Sequence, residues 1–303
     1  MSQKAGLYLK LVLVTMFWGG TFLTGQITSK AISPVLGAFG RFAVASIFLA
    51  LVLTLRGKKW PRLNMKQLLL ILGAAATGII TYNLLFFSGL KLIETNRASL
   101  IIALNPVVIM SLAALLGVEK LNLRRVVGIL IALFGVAVVL SRGNLGAIQS
   151  NVGNGELFIL GCVVSWGLFT LIGRQLVGEL PPLVVITYSC IAGSLGLLIP
   201  AAGELPELLH AGLPVWLSVA YLGLFGTGLG FVWYYDGLRD IGPTRAGIFI
   251  NLVPAWAILL GAAFLHEEIL PATLIGGLFI IAGVTVTNLA KHPAPGNAAE
   301  ASD

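Results

Sequence analysis

Two apolar segments of the chain carry the same run of aromatic and small polar side chains along one helical face. In the first, Thr15, Trp18, Phe22, Gly25 and Gln26 recur at i+3 and i+4 spacing. In the second, Cys162, Ser165, Trp166, Phe169, Thr170 and Gly173 repeat that face. Two further segments add Gly78, Tyr82, Asn83 and Phe86, and Gly226, Gly230, Trp233 and Tyr234. Rings stack on flat apolar groups, and hydroxyls and amides supply hydrogen bonds without fixed charge. Together the set suits a cavity that holds a small molecule by shape and stacking. Aromatic stripes at this spacing also serve helix packing alone, so the alternative stays open residue by residue. The two-fold recurrence favours the cavity.

Asn105 precedes Pro106, Asn251 lies one turn before Pro254, and Trp256 follows it. Each proline removes a backbone donor and frees a carbonyl about one turn earlier. Interruptions at matching positions of two halves point to hinges beside a transport cavity. A packing kink is the competing reading for either proline alone. The acids and the histidines all fall in loops, segment ends or the C-terminal tail. Arg41 is the one charge placed inside an apolar segment, and such a group is costly in lipid. It reads either as a gate or anion contact, or as a side chain that snorkels to the interface or caps backbone carbonyls. The absence of an intramembrane carboxylate argues against proton-coupled exchange and for downhill movement of substrate, or for coupling through other groups.

Other chemistries find no support. Gly223, Gly226, Gly228 and Gly230 resemble pieces of a nucleotide loop, but no strand precedes them. His266-Glu267-Glu268 lacks the second histidine of a zinc-protease helix, and Glu119 and Glu267 read as helix ends. Cys162 and Cys190 lie within apolar segments as packing residues, not at metal-ligand spacing. No catalytic residue, cofactor or metal is expected, and the chain is not read as an enzyme.

The elements that must position these groups are transmembrane helices. The chain is 57% hydrophobic and 10% charged, with mean hydropathy +0.97, and a span needs roughly 20 apolar residues. Ten such segments are predicted, at about 8–28, 34–55, 67–89, 97–117, 123–141, 156–176, 183–201, 214–236, 244–265 and 271–290. Sliding the sequence along itself by the interval from Trp18 to Trp166 brings Pro34 onto Pro182, Gly89-Leu90 onto Gly237-Leu238 and Arg97-Ala98 onto Arg245-Ala246. Pro106 then meets Pro254, Glu119 meets Glu267, Gly128 meets Gly276, and Gly135 meets Gly283. An all-α polytopic membrane protein follows, built of two five-helix repeats, 7–141 and 155–290, with a disordered cytoplasmic tail at 291–303. Five spans per repeat force the second copy to be inverted.

Basic residues set the orientation. One side collects Lys4, Lys10, Arg56, Lys58, Lys59, Arg62, Lys66, Lys120, Arg124, Arg125, Arg174, Arg239, Arg245 and Lys291; the other holds Lys30, Lys91, Arg97 and Arg142. Both termini are therefore expected in the cytoplasm. The basic groups sit in short clusters at membrane edges, which argues against nucleic acid as a partner. The expected partners are the lipid bilayer and a small-molecule substrate, for a monomer or weak homodimer. A membrane enzyme or lipid scramblase is a remote alternative without residue support.

With Trp18-Gly19 and Trp166-Gly167, Gly40-Arg41-Phe42, Gly89-Leu90, Thr95-x-Arg97-Ala98-Ser99, Asn105-Pro106, Pro243-Thr244-Arg245-Ala246, Asn251-Leu252-Val253-Pro254 and Glu267-Glu268, the chain resembles the drug/metabolite transporter superfamily. The match is to its ten-span branch of two EamA-type repeats and runs from about residue 7 to 290. The resemblance implies a 5+5 inverted fold, a central cavity and export of small metabolites across a bacterial inner membrane. Aromatic and neutral amino acid exporters are the most similar branch, with sugars, nucleosides or organic cations as alternative cargo on the same fold. Phosphate-bearing substrates would call for more intramembrane Lys and Arg. The proton-carrying glutamate of the four-span relatives has no counterpart beside Thr15 and Trp18.

Overall fold

The computed structural model describes residues 2–57, 60–118, 122–144, 146, 152–176, 179–241, 246 and 249–289. Glu119, Pro243, Thr244, Arg245 and the tail 291–303 lie outside the described residues. The chain is all-helical. Eight runs are long and apolar enough to cross a membrane by length and composition: α1 (Ser2–Ala31), α2 (Pro34–Leu55), α3 (Met65–Leu90), α4 (Thr95–Leu115), α5 (Leu123–Leu140), α6 (Asn154–Leu176), α7 (Pro182–Leu209) and α8 (Leu213–Gly237). Two shorter apolar helices follow, α9 (Val253–Leu265) and α10 (Pro271–Leu289). Of the expected ninth span, 244–265, the described residues Ala246, Phe249 and Ile250 are also helical, and a turn at Asn251-Leu252 separates them from α9.

Local chemistry sets the helix starts. The Ser33 hydroxyl accepts from the Leu36 amide at 3.1 Å, with Pro34 at the first helical position of α2. Asn64 and Gln67 form a reciprocal capping box at α3, and the Asn122 side chain caps α5. α4 consists of two pieces, Thr95–Ile102 and Asn105–Leu115, with Pro106 in the first turn of the second piece. Pro254 holds the same place in α9. A first-turn proline lacks only a donor the helix does not use there, so both prolines start a helical piece rather than bend a continuous one.

Ile47, Leu55, Leu115, Ile199 and Leu278 are strongly exposed on the outer surfaces of their helices. So many bare apolar side chains suit a lipid-facing belt. Inside, α1 packs on α8 and α9, while α6 packs on α3 and α4. α2 packs on α7 and on α8, and α7 packs on α2 and on α3. The interval of the sequence repeat exchanges each member of these pairs for its counterpart. α5 and α10 form the closest pair of all, with their backbones in contact through Gly128, Gly135, Gly276 and Gly283.

Two ends of the bundle can be told apart by their contacts. At the Lys30 end, Arg97 Nη1 of α4 meets Glu156 Oε1 of α6 at 2.9 Å, and both side chains are buried. Arg97 Nη2 also donates to the Leu140 carbonyl that ends α5, at 2.6 Å, and Glu156 Oε2 accepts from the Gly153 amide. Beside them, Glu267 accepts from the Thr95 amide at 2.7 Å, the Thr95 hydroxyl at 2.8 Å and the Asn96 amide at 3.1 Å. A carboxylate from beyond α9 thus caps the start of α4. At the Lys66 end, Lys66 Nζ and Gln67 Nε2 both donate to Glu179. The bond from Lys66, with that from Gln67, holds the exposed Glu179 carboxyl below the usual carboxylate range.

Glu267→Ala is expected to lower stability by about 2 kcal/mol, since two amides at a helix start lose a charged acceptor. The melting midpoint of the detergent-purified chain measures it. A midpoint equal to that of the parent would show that water replaces the carboxylate there.

Candidate functional site

The middle of the bundle is organised by two widened turns. Ala75–Thr81 in α3 and Leu222–Leu229 in α8 are π-helical, and they occupy corresponding positions of the sequence repeat. A π turn spaces its hydrogen bonds i→i+5 and is often found at functional sites. Its loosened carbonyls attract donors from neighbouring helices. Trp18 Nε1 of α1 donates to the Gly226 carbonyl at 3.0 Å. Ser165 Oγ of α6 donates to the Thr77 carbonyl at 2.8 Å. The two polar faces read from the sequence therefore each bind one π segment.

The aromatic residues gather around these turns. Trp166 lies 5.5 Å from Tyr82, 5.0 Å from Phe169 and 6.3 Å from Phe231 between ring centroids. Trp18 lies 5.1 Å from Tyr234 and 5.8 Å from Phe231. Phe86 stacks on Tyr82 and meets Phe22 edge-on. Phe231 thus touches both tryptophans and joins the two aromatic faces into one cluster. Phe231 and its neighbour Tyr235 were not among the residues singled out from the sequence. Gly78 gives Phe169 its place: a Cβ there would stand 2.3 Å from the ring, so only glycine lets α3 and α6 approach as they do.

Arg41 is also at this level. Its Nε donates to Thr227 Oγ1 and its Nη1 to Asn83 Oδ1, both at 3.0 Å. Asn83 Nδ2 donates onward to the Ile79 carbonyl at 2.8 Å, and Thr227 Oγ1 to the Leu222 carbonyl at 3.0 Å. One guanidinium therefore ties the π segment of α8 to Asn83, just past the π segment of α3. It is 9% exposed and does not snorkel, and no acid pairs with it among the described residues.

Other residues picked out from the sequence stand apart from the cluster. Trp233 packs against Phe17, with Lys10 above its ring. Trp256 lies against Gly19, where a Cβ would come within 2.4 Å of its own. Thr15 donates to the Val12 carbonyl of its own helix. Gln26 Nε2 donates to the Ile93 carbonyl near the Lys30 end, while its Oε1 is buried without a partner. Asn105 Oδ1 is likewise buried and unpartnered at the break in α4, and Asn251 sits at the corresponding turn before α9. Gly226 and Gly230, by contrast, border the cluster, against Thr21 and the Trp18 indole.

A depression of about 490 Å³ opens at the Lys30 end, lined by Glu94, Arg97, Arg142, Asn154 and Glu156 among others. The described residues contain no group of acids, histidines and cysteines placed to hold a metal ion. Cys162 and Cys190 are buried and free.

Comparison with known proteins places this architecture. The model of the EamA-like transporter family matches twice, over residues 6–141 and 153–289. The uncharacterized transporter YyaM of Bacillus subtilis is 29% identical over 96% of each chain. The uncharacterized inner membrane transporter YedA of Escherichia coli K12 is 28% identical, over 97% of this chain and 94% of its own. A protein of Streptantibioticus cattleyicolor named "Probable terminal-alkyne amino-acid exporter" is 28% identical over 92% of each. A crystal structure 23% identical in sequence superposes with a TM-score of 0.65, over 94% of this chain and 99% of that one.

Proposed function

The chain belongs to the EamA-like transporter family, and from that premise we propose that it exports small metabolites, amino acids foremost, across a bacterial inner membrane. The observation that carries this reading is the aromatic cluster of Trp18, Tyr82, Trp166, Phe231 and Tyr234, set between two π-helical turns where α1, α3, α6 and α8 meet. Substrate stacks there, between Trp18 and Tyr234 on one side and Tyr82 and Trp166 on the other. Asn83 meets its polar groups there, and Asn105, whose buried oxygen has no protein partner, meets them along the path past the break of α4.

Ten spans in a 5+5 inverted repeat account for the main helix pairs, since α1 with α8 and α9 mirrors α6 with α3 and α4, and α2 with α8 mirrors α7 with α3. Two family matches of similar length, each predicted to hold five spans, support the same arrangement. The loop charges then put the Lys66 end and both termini in the cytoplasm. In that orientation Arg97–Glu156 and the Glu267 cap tie helices together at the outer end. Alternating access requires these contacts to part while the aromatic layer stays with the substrate. The breaks before Pro106 and Pro254 are where α4 and α9 flex.

Amino acids are preferred as cargo because the cluster offers rings and amides, and because the exporter from Streptantibioticus, as named, moves an amino acid. The direct test is efflux of labelled phenylalanine from proteoliposomes with no pH or voltage gradient. Downhill flux inhibited by unlabelled amino acids supports the reading; dependence on an imposed pH gradient would show a titrating group is required. Trp166→Ala combined with Tyr82→Ala is expected to lower that flux roughly tenfold or more, since each ring contact is worth about 0.5–1.5 kcal/mol. Unchanged flux and selectivity in the double variant would remove the cluster from the substrate path.

A further inference from the structure

Arg41 has the surroundings of a cation whose counter-ion is brought by the cargo. A guanidinium carries five N–H donors, and the described residues occupy two of them, both with neutral oxygens. Those oxygens are themselves fixed. The Asn83 amide is turned by its bond to Ile79, and the Thr227 hydroxyl by its bond to Leu222. Asn83 is 1% exposed and Thr227 fully buried, so the guanidinium is held in one orientation with its remaining N–H groups unassigned. The Phe42 ring lies 5.3 Å from the guanidinium carbon, and a ring face favours a cation without neutralising it. Ser189, on α7 where it packs against α2, is fully buried and its hydroxyl has no partner. Ser189 is the repeat counterpart of Arg41. One repeat thus offers a charged donor and the other a neutral hydroxyl that is not yet used.

A buried cation at mid-span with no acid is costly. A bidentate carboxylate is the group whose geometry matches the free edge of a guanidinium. We infer that Arg41 is the receptor for a carboxylate on the transported molecule, and that Asn83 and Thr227 position it. The inference rests on the transporter reading and narrows its cargo to monocarboxylates, amino acids included. It also gives the bridge a part in the cycle. A carboxylate that draws the guanidinium toward itself weakens the bonds to Asn83 and Thr227, and so loosens α3 from α8. Binding of cargo at Arg41 and release of α3 from α8 are then one event.

The test uses the full chain in proteoliposomes with labelled phenylalanine and phenylalaninamide, which keeps the ring and amine but lacks the carboxylate. The parent is expected to move phenylalanine at least tenfold better than the amide. Arg41→Gln is expected to lose phenylalanine flux at least tenfold while the ratio between the two substrates falls toward one, with Arg41→Lys intermediate. Equal loss of both substrates in a folded Arg41→Gln protein would make Arg41 a structural bridge only and overturn the inference. If Arg41→Gln does not fold, the parent decides through ligand-induced shifts of its melting midpoint. Phenylalanine and hydrocinnamate should raise it and phenylalaninamide should not; an equal rise with all three overturns the inference. Transport of another small metabolite without a carboxylate, and of neither acid, would overturn the inference and leave the transporter reading standing. No transport of any of them would overturn both.

Discussion

Replacing Glu156 by Gln is expected to destabilise the chain by about 3–5 kcal/mol, the cost of removing one member of a buried ion pair. The carboxylate is 4% exposed and the Arg97 side chain 9%, at an N–O distance of 2.9 Å. A pair this dry is not screened as surface pairs are. The charge left on Arg97 loses the Glu156 carboxylate, while its bond to the Leu140 carbonyl survives. The pair also joins two units of the chain, since Arg97 lies in the first family match and Glu156 in the second. The single variant should therefore melt well below the parent in detergent. Arg97→Met with Glu156→Leu should recover more than half of the loss, because an apolar pair carries no desolvation cost. A double variant no better than Glu156→Gln would mean the bonds to Leu140 and Gly153, not the charges, hold this end together. If Glu156→Gln melts within about 0.5 kcal/mol of the parent, as surface substitutions do, water reaches the pair and its burial does not matter.

The residues singled out from the sequence that the structure gathers into the aromatic cluster share one property: their relations are local or repeat at a fixed interval. Trp18 and Trp166 lie on unbroken α-helices, so a period of 3.6 places them on the same face as Phe22 and Phe169. α8 is different. The π turn at Leu222–Leu229 inserts extra residues per turn and rotates everything after it. A constant helical period carried on from Gly226 and Gly230 therefore chose Trp233, which faces Phe17 instead, and passed over Phe231, which joins the two tryptophans. Nothing in a single sequence marks a π turn beyond its glycines. The partners of Arg41 were equally hidden, because Asn83 and Thr227 lie on two other helices far along the chain. Glu267 was read as a helix end, and it lies two residues past the last residue of α9. Its acceptor role at Thr95 and Asn96 depends on how the halves meet, which composition and spacing do not encode.

Gly283→Ala is expected to disrupt the protein, although the same change at Gly173 should stabilise it. Both glycines sit inside helices, where alanine is preferred by roughly 1 kcal/mol. At Gly173 a new Cβ meets nothing within 4 Å, so propensity decides and the melting midpoint should rise slightly. At Gly283 the Cβ would stand 2.4 Å from the Ala132 amide nitrogen and 2.6 Å from the Gly128 carbonyl oxygen. Those are backbone atoms of α5, and no side-chain rotation can relieve them. The helices must move apart, and in lipid the contact so lost is not replaced by any hydrophobic gain, because the acyl chains are as apolar as the interface. Overpacking of this kind costs typically 1–3 kcal/mol, which exceeds the propensity gain, and Gly283→Leu should cost more again. The same steric demand recurs at the repeat counterpart Gly135, whose Cβ would lie 2.6 Å from the Gly276 carbonyl. Melting of the detergent-purified variants gives the sign directly: Gly283→Ala and Gly135→Ala below the parent, Gly173→Ala at or above it. A rise at all three positions would mean that α5 and α10 do not touch through their backbones. A fall at all three would point to a need for helix flexibility rather than for close approach.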